Sequence, residues 1–286
     1  MTSTVRALLE EAIQAFERAG ILDSRVDAEL IIGHALGLSR GQVQAKAVTD
    51  ALVTEADAAR IAGFVARRAQ REPLQHITGR APFRSLDLAV GPGVFIPRPE
   101  TEQVAQFAID ALLVVPGQNP IAVDLGTGSG AIALALATEV PHATVYGVEN
   151  SPEAFEWTIR NFRQYGADNA HAVFADLDAA LPQLDGIVDV VVSNPPYIPT
   201  GAIPRDPEVH QFDPAHALYG GEDGLDVVHE LSRSAARLLH PGGVLVLEHG
   251  ELQGAAIREL LAADGWRAQA THRDFLGRDR ATTALR

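Results

Sequence analysis

An α/β protein, with a mostly parallel sheet preceded by a small helical domain, is predicted from three observations. From residue 120 onward, strand-like and helix-like patterns alternate, as a parallel sheet covered on both faces requires. Before residue 75 the apolar residues recur only at helical spacing, with no strand pattern. Between the two, over 76–98, short apolar runs are broken by Gly and Pro. A length of 286 residues is enough for one or two domains with substantial cores.

Taken in order, Val5, Leu8, Leu9, Ile13 and Phe16 share one face of a helix over 3–20. A second helix over 23–36 carries Ala28, Leu30, Ile31, Ile32 and Ala35. Thr54, with Asp57 three residues on, starts a third that runs to about Arg71. These segments hold no compact chemical motif, so a bundle over 1–75 with a recognition role is expected. Residues 76–98 read as a β-hairpin linker, with strand-like runs at Ile77-Thr78-Gly79 and Leu86-Asp87-Leu88-Ala89-Val90. Residues 99–286 form the α/β domain. Its helix entry at Pro99-Glu100-Thr101-Glu102 has a proline suited to the first turn and carboxylates suited to the positive helix end. Strands follow at 121–125, 144–149, 171–176, 187–193 and 243–249, with helices at 131–138, 152–165, 225–240 and 252–263. Residues 266–272 and 280–285 read as a closing antiparallel pair. The long Pro-, Gly- and Asp-rich stretch 198–224 is expected to clamp a substrate loop.

Composition narrows the chemistry. There is no cysteine, which excludes disulfides, thiol catalysis and thiolate metal sites. Lys46 is the single lysine, so Schiff-base chemistry has almost no candidate. The histidines show no ligand spacing, and no metal is expected. A net charge of −14 argues against a broad grip on a phosphate backbone. Arg60, Arg67, Arg68, Arg71, Arg80, Arg84 and Arg98 nevertheless cluster, either as a partner-facing patch or as a solvated helix face. The first residues lead into an amphipathic, acid-containing pattern unlike a signal peptide, and no apolar run reaches membrane-spanning length. A cytoplasmic protein with no membrane partner and no stable nucleic-acid partner is expected.

Two motifs carry chemistry. Asp124-Leu125-Gly126-Thr127-Gly128-Ser129-Gly130 lies between a strand and a helix. Its glycines permit a tight turn and close approach of a ligand to the backbone, and the helix end offers unpaired N–H groups. Glu149 ends the next strand 21 residues after Gly128, about where an acid bonds a ribose hydroxyl in nucleotide-binding βαβ units. An adenosine-type cofactor follows, although Gly126-x-Gly128-x-x-Ala131 also fits the relaxed dinucleotide fingerprint. The second motif, Ser193-Asn194-Pro195-Pro196-Tyr197, follows an apolar strand. Two prolines stop the sheet there and hold an amide and an aromatic at a strand's carboxyl end, where open α/β sheets place ligands. The Asn194 side-chain oxygen and the Pro195 carbonyl form a stiff pair of acceptors suited to an NH2 group.

Asp124–Gly130 resembles the first motif of S-adenosylmethionine-dependent methyltransferases. Asn194-Pro195-Pro196-Tyr197 resembles the signature of those that modify planar NH2 nitrogens. Together with Phe95-Ile96-Pro97-Arg98-Pro99-Glu100-Thr101-Glu102, Phe212-Asp213-Pro214 and Ala217–Leu225, they make the chain resemble the HemK/PrmC family over nearly its whole length. The resemblance implies a Rossmann-like class I methyltransferase sheet with a small all-helical N-terminal domain and a hairpin linker. It implies methyl transfer from S-adenosylmethionine, leaving S-adenosylhomocysteine, to the side-chain nitrogen of the glutamine in the Gly-Gly-Gln loop of class-1 peptide release factors, supporting translation termination. On that resemblance Asp124, Gly126, Thr127, Gly128, Ser129, Gly130, Glu149, Asp176 and Asn194 hold the cofactor. Phe95, Asn194, Pro195, Pro196 and Tyr197 hold the glutamine, and the Asn194–Tyr197 turn is catalytic. Leu177 stands where many members carry an aromatic beside the acid. The rival reading from the same motif is amino-methylation of nucleic-acid bases, at adenine N6 or guanine N2.

Overall fold

The computed structural model describes residues 3–117 and 119–286. The chain divides into two compact units: one contains residues up to Arg80 together with Arg205–Phe212, and the other contains Ala81–Pro204 and Asp213–Arg286.

The first unit contains β1 (Ser3–Thr4), α1 (Val5–Arg18), α2 (Ser24–Leu36), α3 (Arg40–Val48), β2 (Leu52–Val53), α4 (Glu55–Ala69) and α5 (Leu74–Thr78). Side-chain caps set the helix starts: the Thr4 and Thr54 hydroxyls accept from the Ala7 and Asp57 N–H groups, and Ser39 and Gln42 cap each other reciprocally. Phe16, Ile31, Ile32, Val43 and Ile61 are fully buried at the centre. Two expectations are corrected here. The unit is not all helical, because β1 and β2 pair antiparallel and tie the chain start to the turn before α4. Ile77-Thr78-Gly79 is not strand. The Thr78 hydroxyl bonds back to the Leu74 carbonyl, and Gly79 closes α5 with φ of 72°, a C-cap for which glycine is suited. The hairpin is therefore confined to β3 (Arg80–Phe83) and β4 (Leu86–Ala89), and residues 90–98 are irregular.

The second unit continues with α6 (Pro99–Leu113), β5 (Ile121–Leu125), α7 (Ala131–Glu139), β6 (Thr144–Glu149), α8 (Pro152–Tyr165), β7 (Ala170–Phe174) and β8 (Val188–Ser193). After the intervening α9 (Pro207–Phe212), it resumes with α10 (Ala215–Leu218), α11 (Asp226–Leu238), β9 (Leu239–Glu248), α12 (Gly254–Ala263), β10 (Arg267–Arg273) and β11 (Asp279–Leu285). The seven strands lie in the order β10-β11-β9-β8-β5-β6-β7. β9, β8, β5, β6 and β7 run parallel, and β11 and β10 are antiparallel additions at one edge. Alternation along the strands gives both faces an apolar set. Ala122, Val145, Val190, Val192 and Val246 pack with α6 and α7 on one face, and Val123, Leu125, Val148, Val191, Leu245 and Leu247 pack with α11 and α12 on the other. α7 is buried almost all round, which accounts for its run of Ala, Ile and Leu without amphipathic spacing. The chain winds from β5 outward to β7, then returns to β8 on the other side of β5. The carboxyl ends of β5 and β8 therefore flank the point where strand order reverses.

α9 belongs with the helical unit. Its Glu208 receives Arg68 Nη1 at 2.9 Å and Arg71 Nη2 at 2.6 Å, and Arg68 Nε bonds Asp27 at 2.7 Å. Arg68 is only 7% exposed. Much of the arginine cluster is paired, Arg67 with Glu72, Arg68 and Arg71 with Glu208, and Arg84 with Glu139, while Arg60, Arg67 and Arg80 stay exposed.

Candidate active site

The glycine turn after β5 is held from three sides. The Gly126 and Thr127 N–H groups bond the Val148 carbonyl at 2.9 and 2.8 Å, fixing the turn to β6. Gly126, Gly128 and Gly130 have φ of 73°, 56° and 85°, a region that side chains disfavour. At Gly126 and Gly128 no atom lies within 4 Å of where a Cβ would stand, so backbone conformation alone requires glycine there. α8 supplies two side chains that sequence reasoning missed. Thr158 Oγ1 bonds the Gly128 carbonyl at 2.6 Å, and Asn161 Nδ2 bonds the Ser129 carbonyl at 2.8 Å. Asn161 also exchanges both hydrogen bonds with Ala89, so one buried amide fixes the hairpin and the turn together. The helical spacing of Thr158 and Asn161 was visible in the sequence, but their polarity gave no sign of what they hold.

Asp124 is buried beneath the turn. Its Oδ2 accepts from the Thr127 hydroxyl at 2.6 Å and the Ala133 N–H at 3.1 Å, while its Oδ1 is buried with no hydrogen-bond partner among the described residues. Burial pushes the Asp124 carboxyl up to about 7 against those two bonds, and the nearby Glu149 carboxylate adds to the rise. Glu149 accepts from the Gly128 N–H at 2.8 Å and from the Asn150 and Ser151 N–H groups, which places it under the turn. Asp176 stands beside this cluster and accepts from Asn150 Nδ2 at 2.9 Å. Leu177 packs against the sheet core, so it is a core contact.

The turn after β8 is built differently. Ser193 Oγ bonds the Leu125 carbonyl at 2.6 Å, which joins the ends of β8 and β5. The Tyr197 carbonyl accepts from Gln253 Nε2 at 2.9 Å. Ile198 N–H bonds the Leu218 carbonyl, Gly220 N–H bonds the Ile198 carbonyl, and Ile198 bridges Tyr219. A Cβ on Gly220 would stand 2.3 Å from the Pro196 carbonyl oxygen, and one on Gly224 would stand 2.2 Å from that of Tyr197. Residues 218–224 therefore pack directly against the main chain of the proline turn, and only glycine permits that approach. This gives the Tyr219-Gly220-Gly221-Glu222-Asp223-Gly224 stretch a physical role, while the expected loop 198–224 also sends its middle, 205–212, to the helical unit.

Around the turn lie charged side chains that the sequence did not single out. Arg280 Nη1 approaches the Tyr197 hydroxyl at 3.4 Å and the His249 carbonyl at 3.3 Å. Glu248, at the end of β9, is 2% exposed, and burial pushes its carboxyl up to about 7. Burial also raises the Tyr197 phenol, so it stays protonated. His249 is buried, held by the Gly250 carbonyl and the Thr282 hydroxyl, and its burial lowers its basicity. Phe95 carries the Arg98 guanidinium over its ring at 5.0 Å. Arg98 is in turn paired with Asp213, and Asp213 also accepts from the Ile96 backbone, so the separate stretches around Phe95 and Asp213 meet in space. Among the described residues no group of side chains could hold a metal ion, and no helix is long and apolar enough to cross a membrane.

Residues 7–79 match the model of the PrmC N-terminal domain, and residues 118–273 match that of a methyltransferase domain. The release factor glutamine methyltransferase of Streptomyces coelicolor is 49% identical over 97% of this chain and 97% of its own length. That of Bifidobacterium longum is 45% identical over 97% of this chain and 98% of its own. The 4-amino-L-phenylalanine/4-methylamino-L-phenylalanine methyltransferase of Streptomyces pristinaespiralis is 40% identical over 99% of this chain and 95% of its own. With both units matched in order and relatives this similar end to end, the chain belongs to the release factor glutamine methyltransferase family.

Proposed function

We propose that this protein transfers a methyl group from S-adenosylmethionine to the side-chain amide nitrogen of the glutamine in the Gly-Gly-Gln loop of class-1 peptide release factors. The observation that carries the reading is the rigid acceptor turn at Asn194–Tyr197, joined through Ser193 to the strand that ends in the glycine turn.

The residues present fit S-adenosylmethionine. The buried, unpartnered Asp124 Oδ1 suits its ammonium group, and the left-handed Gly126 and Gly128 leave room for a ligand against the main chain. Glu149, whose oxygens already order the turn, and Asp176 suit the ribose hydroxyls. Thr127, Ser129 and Gly130 keep the turn in shape. When bound, the cofactor supplies an electrophilic methyl group on a sulfonium.

An amide nitrogen is a poor nucleophile because its lone pair is shared with the carbonyl. Asn194 Oδ1 accepts one of its N–H groups and the Pro195 carbonyl accepts the other. Gln253, at the start of α12, takes up the Tyr197 carbonyl, and the loop packs Gly220 against that of Pro196. Pro196 and Pro195 fix the backbone that aims these acceptors, Tyr197 packs on the amide plane, and Phe95 walls the same slot. Alignment of reactants contributes roughly 7–11 kcal/mol in favourable cases, against about 0.5–1.5 kcal/mol net for each neutral hydrogen bond. Geometry is therefore the larger effect. No strong base is needed, since the methylated nitrogen is cationic and releases its proton to water.

The test is transfer of labelled methyl from S-adenosylmethionine to a purified class-1 release factor, to its Gln→Ala loop variant, to bulk RNA and DNA, and to 4-amino-L-phenylalanine. Label on the wild-type factor alone supports the reading. Label on nucleic acid alone would move the substrate to a base NH2 group. Label on the free amine alone would place the chain with the relative named for that substrate.

A further inference from the structure

The carboxamide of Asn194 can point two ways, and only one of them offers an acceptor to an incoming NH2 group. In the structure Asn194 Nδ2 faces Thr101 Oγ1 at 3.4 Å. Thr101 sits in the first turn of α6, 3% exposed, and its hydroxyl lies toward the buried Glu248 carboxyl at the end of β9, whose ionised form it favours. The other oxygen of Glu248, Oε2, is buried with no partner among the described residues. Three elements that are remote in sequence thus converge behind one amide.

We infer that Thr101 and Glu248 are positioning residues that fix the orientation of the Asn194 amide, with Oδ1 directed toward the substrate nitrogen. The inference rests on the reading of Asn194 given above. A carboxylate only accepts, so the Thr101 hydroxyl must spend its single proton on Glu248. The hydroxyl oxygen can then only accept, and the group facing it must be the Asn194 NH2. The amide oxygen is left on the opposite side. A protonated Glu248 can donate to Thr101 instead, which frees the hydroxyl proton for Asn194 Oδ1 and allows the amide to reverse. The charged groups that act on Glu248 are Arg280 from β11 and Arg98 and Glu100 at the start of α6, with the Tyr197 hydroxyl close by. The two arginines favour the carboxylate, and burial and Glu100 oppose it. An apolar residue at 101 or a neutral amide at 248 would remove the bias while leaving the shape of the site nearly unchanged.

Methylation of a purified class-1 release factor by the full chain tests this with T101V, T101S, E248Q and N194A, each alongside cofactor Kd and Tm. T101V is expected to lower kcat by about 10- to 100-fold, with cofactor Kd within about twofold. T101S, which keeps the hydroxyl, is expected to restore kcat to within about threefold of wild type. E248Q is expected to lower kcat and to remove a rise of kcat with pH near neutrality that the wild type is expected to show. T101V in an N194A background is expected to add no further loss, because nothing remains to orient. N194A inactive beside fully active T101V and E248Q would overturn the inference alone. Near-normal turnover in N194A would overturn the role of Asn194 and the inference with it.

Discussion

The two turns that meet between β5 and β8 solve opposite problems. The turn after β5 has three left-handed glycines, and its shape comes from side chains that reach it: Glu149, Thr158 and Asn161 hold its N–H and carbonyl groups. The turn after β8 has two prolines and is packed from behind by main chain, with Gly220 and Gly224 against its carbonyls and Gln253 bonded to one. The first is a flexible backbone ordered by polar contacts, suited to a ligand that must enter and leave each cycle. The second is a stiff backbone ordered by close packing, suited to holding a small amide in one attitude. Binding and turnover should therefore fail separately.

The sharpest break is at Asn194. Asn194→Ala should lower turnover by at least about 100-fold and weaken cofactor binding only modestly. Equal losses in both would erase the division between the turns. Next comes Gly224→Ala, whose Cβ would collide with the Tyr197 carbonyl. It should lower kcat by roughly 10- to 100-fold and stability by about 1–3 kcal/mol, again with cofactor Kd close to wild type. Wild-type kcat in a stably folded variant would mean that the packing of 218–224 does not position the turn. On the other side, Glu149→Ala should raise cofactor Kd about tenfold, with kcat at saturating cofactor close to normal. An unchanged Kd by calorimetry would remove Glu149 from the binding surface.

The smallest effect is on pH. Burial holds the Asp124 and Glu248 carboxyls at about 7, above their ordinary values of 3.8 and 4.5. Between those limits the folded state binds more protons than the unfolded state, so stability falls as pH rises. Their contribution is complete below the unfolded values and is lost as pH rises through about 7. Glu208 and Glu72, lowered by their arginine partners, act in the opposite sense and only at more acid pH. Below about 6.5 the histidines His34, His249 and His272, whose basicity burial lowers, act in the opposite sense, so Tm should decline from about pH 6.5 to about 8.5, and D124N and E248Q should each flatten the decline. A slope identical to wild type in both variants would show that neither carboxyl titrates there.

The sequence revealed the sheet because alternation and apolar period are local properties, and it revealed both turns because glycine and proline mark backbone constraints directly. Residues that act through distant partners were hidden. Thr101 read as part of a helix start, Glu248 as a strand residue, and Gln253 as an ordinary helix residue. Each acquires meaning only when β8, β9 and α6 are brought side by side. The hairpin limits were misread for a similar reason: Ile77 and Thr78 suit a strand by composition, but the Gly79 cap and the packing of α5 in the helical unit make them helix. The counter-charge of Arg68 and Arg71 was hidden because Glu208 lies far along the chain.

That counter-charge also bears on modularity. The residues that complete the helical unit are encoded in two places, before Arg80 and at Arg205–Phe212, with the first half of the sheet between them. A fragment ending at residue 80 would retain Arg68 and Asp27 but lack Glu208, leaving a buried guanidinium with half its acidic partners. Loss of one of two charge partners of a buried guanidinium is destabilising. The helical unit is therefore not a detachable cassette, and exchanging it between enzymes of this family would require transplanting the internal segment along with the N-terminal one.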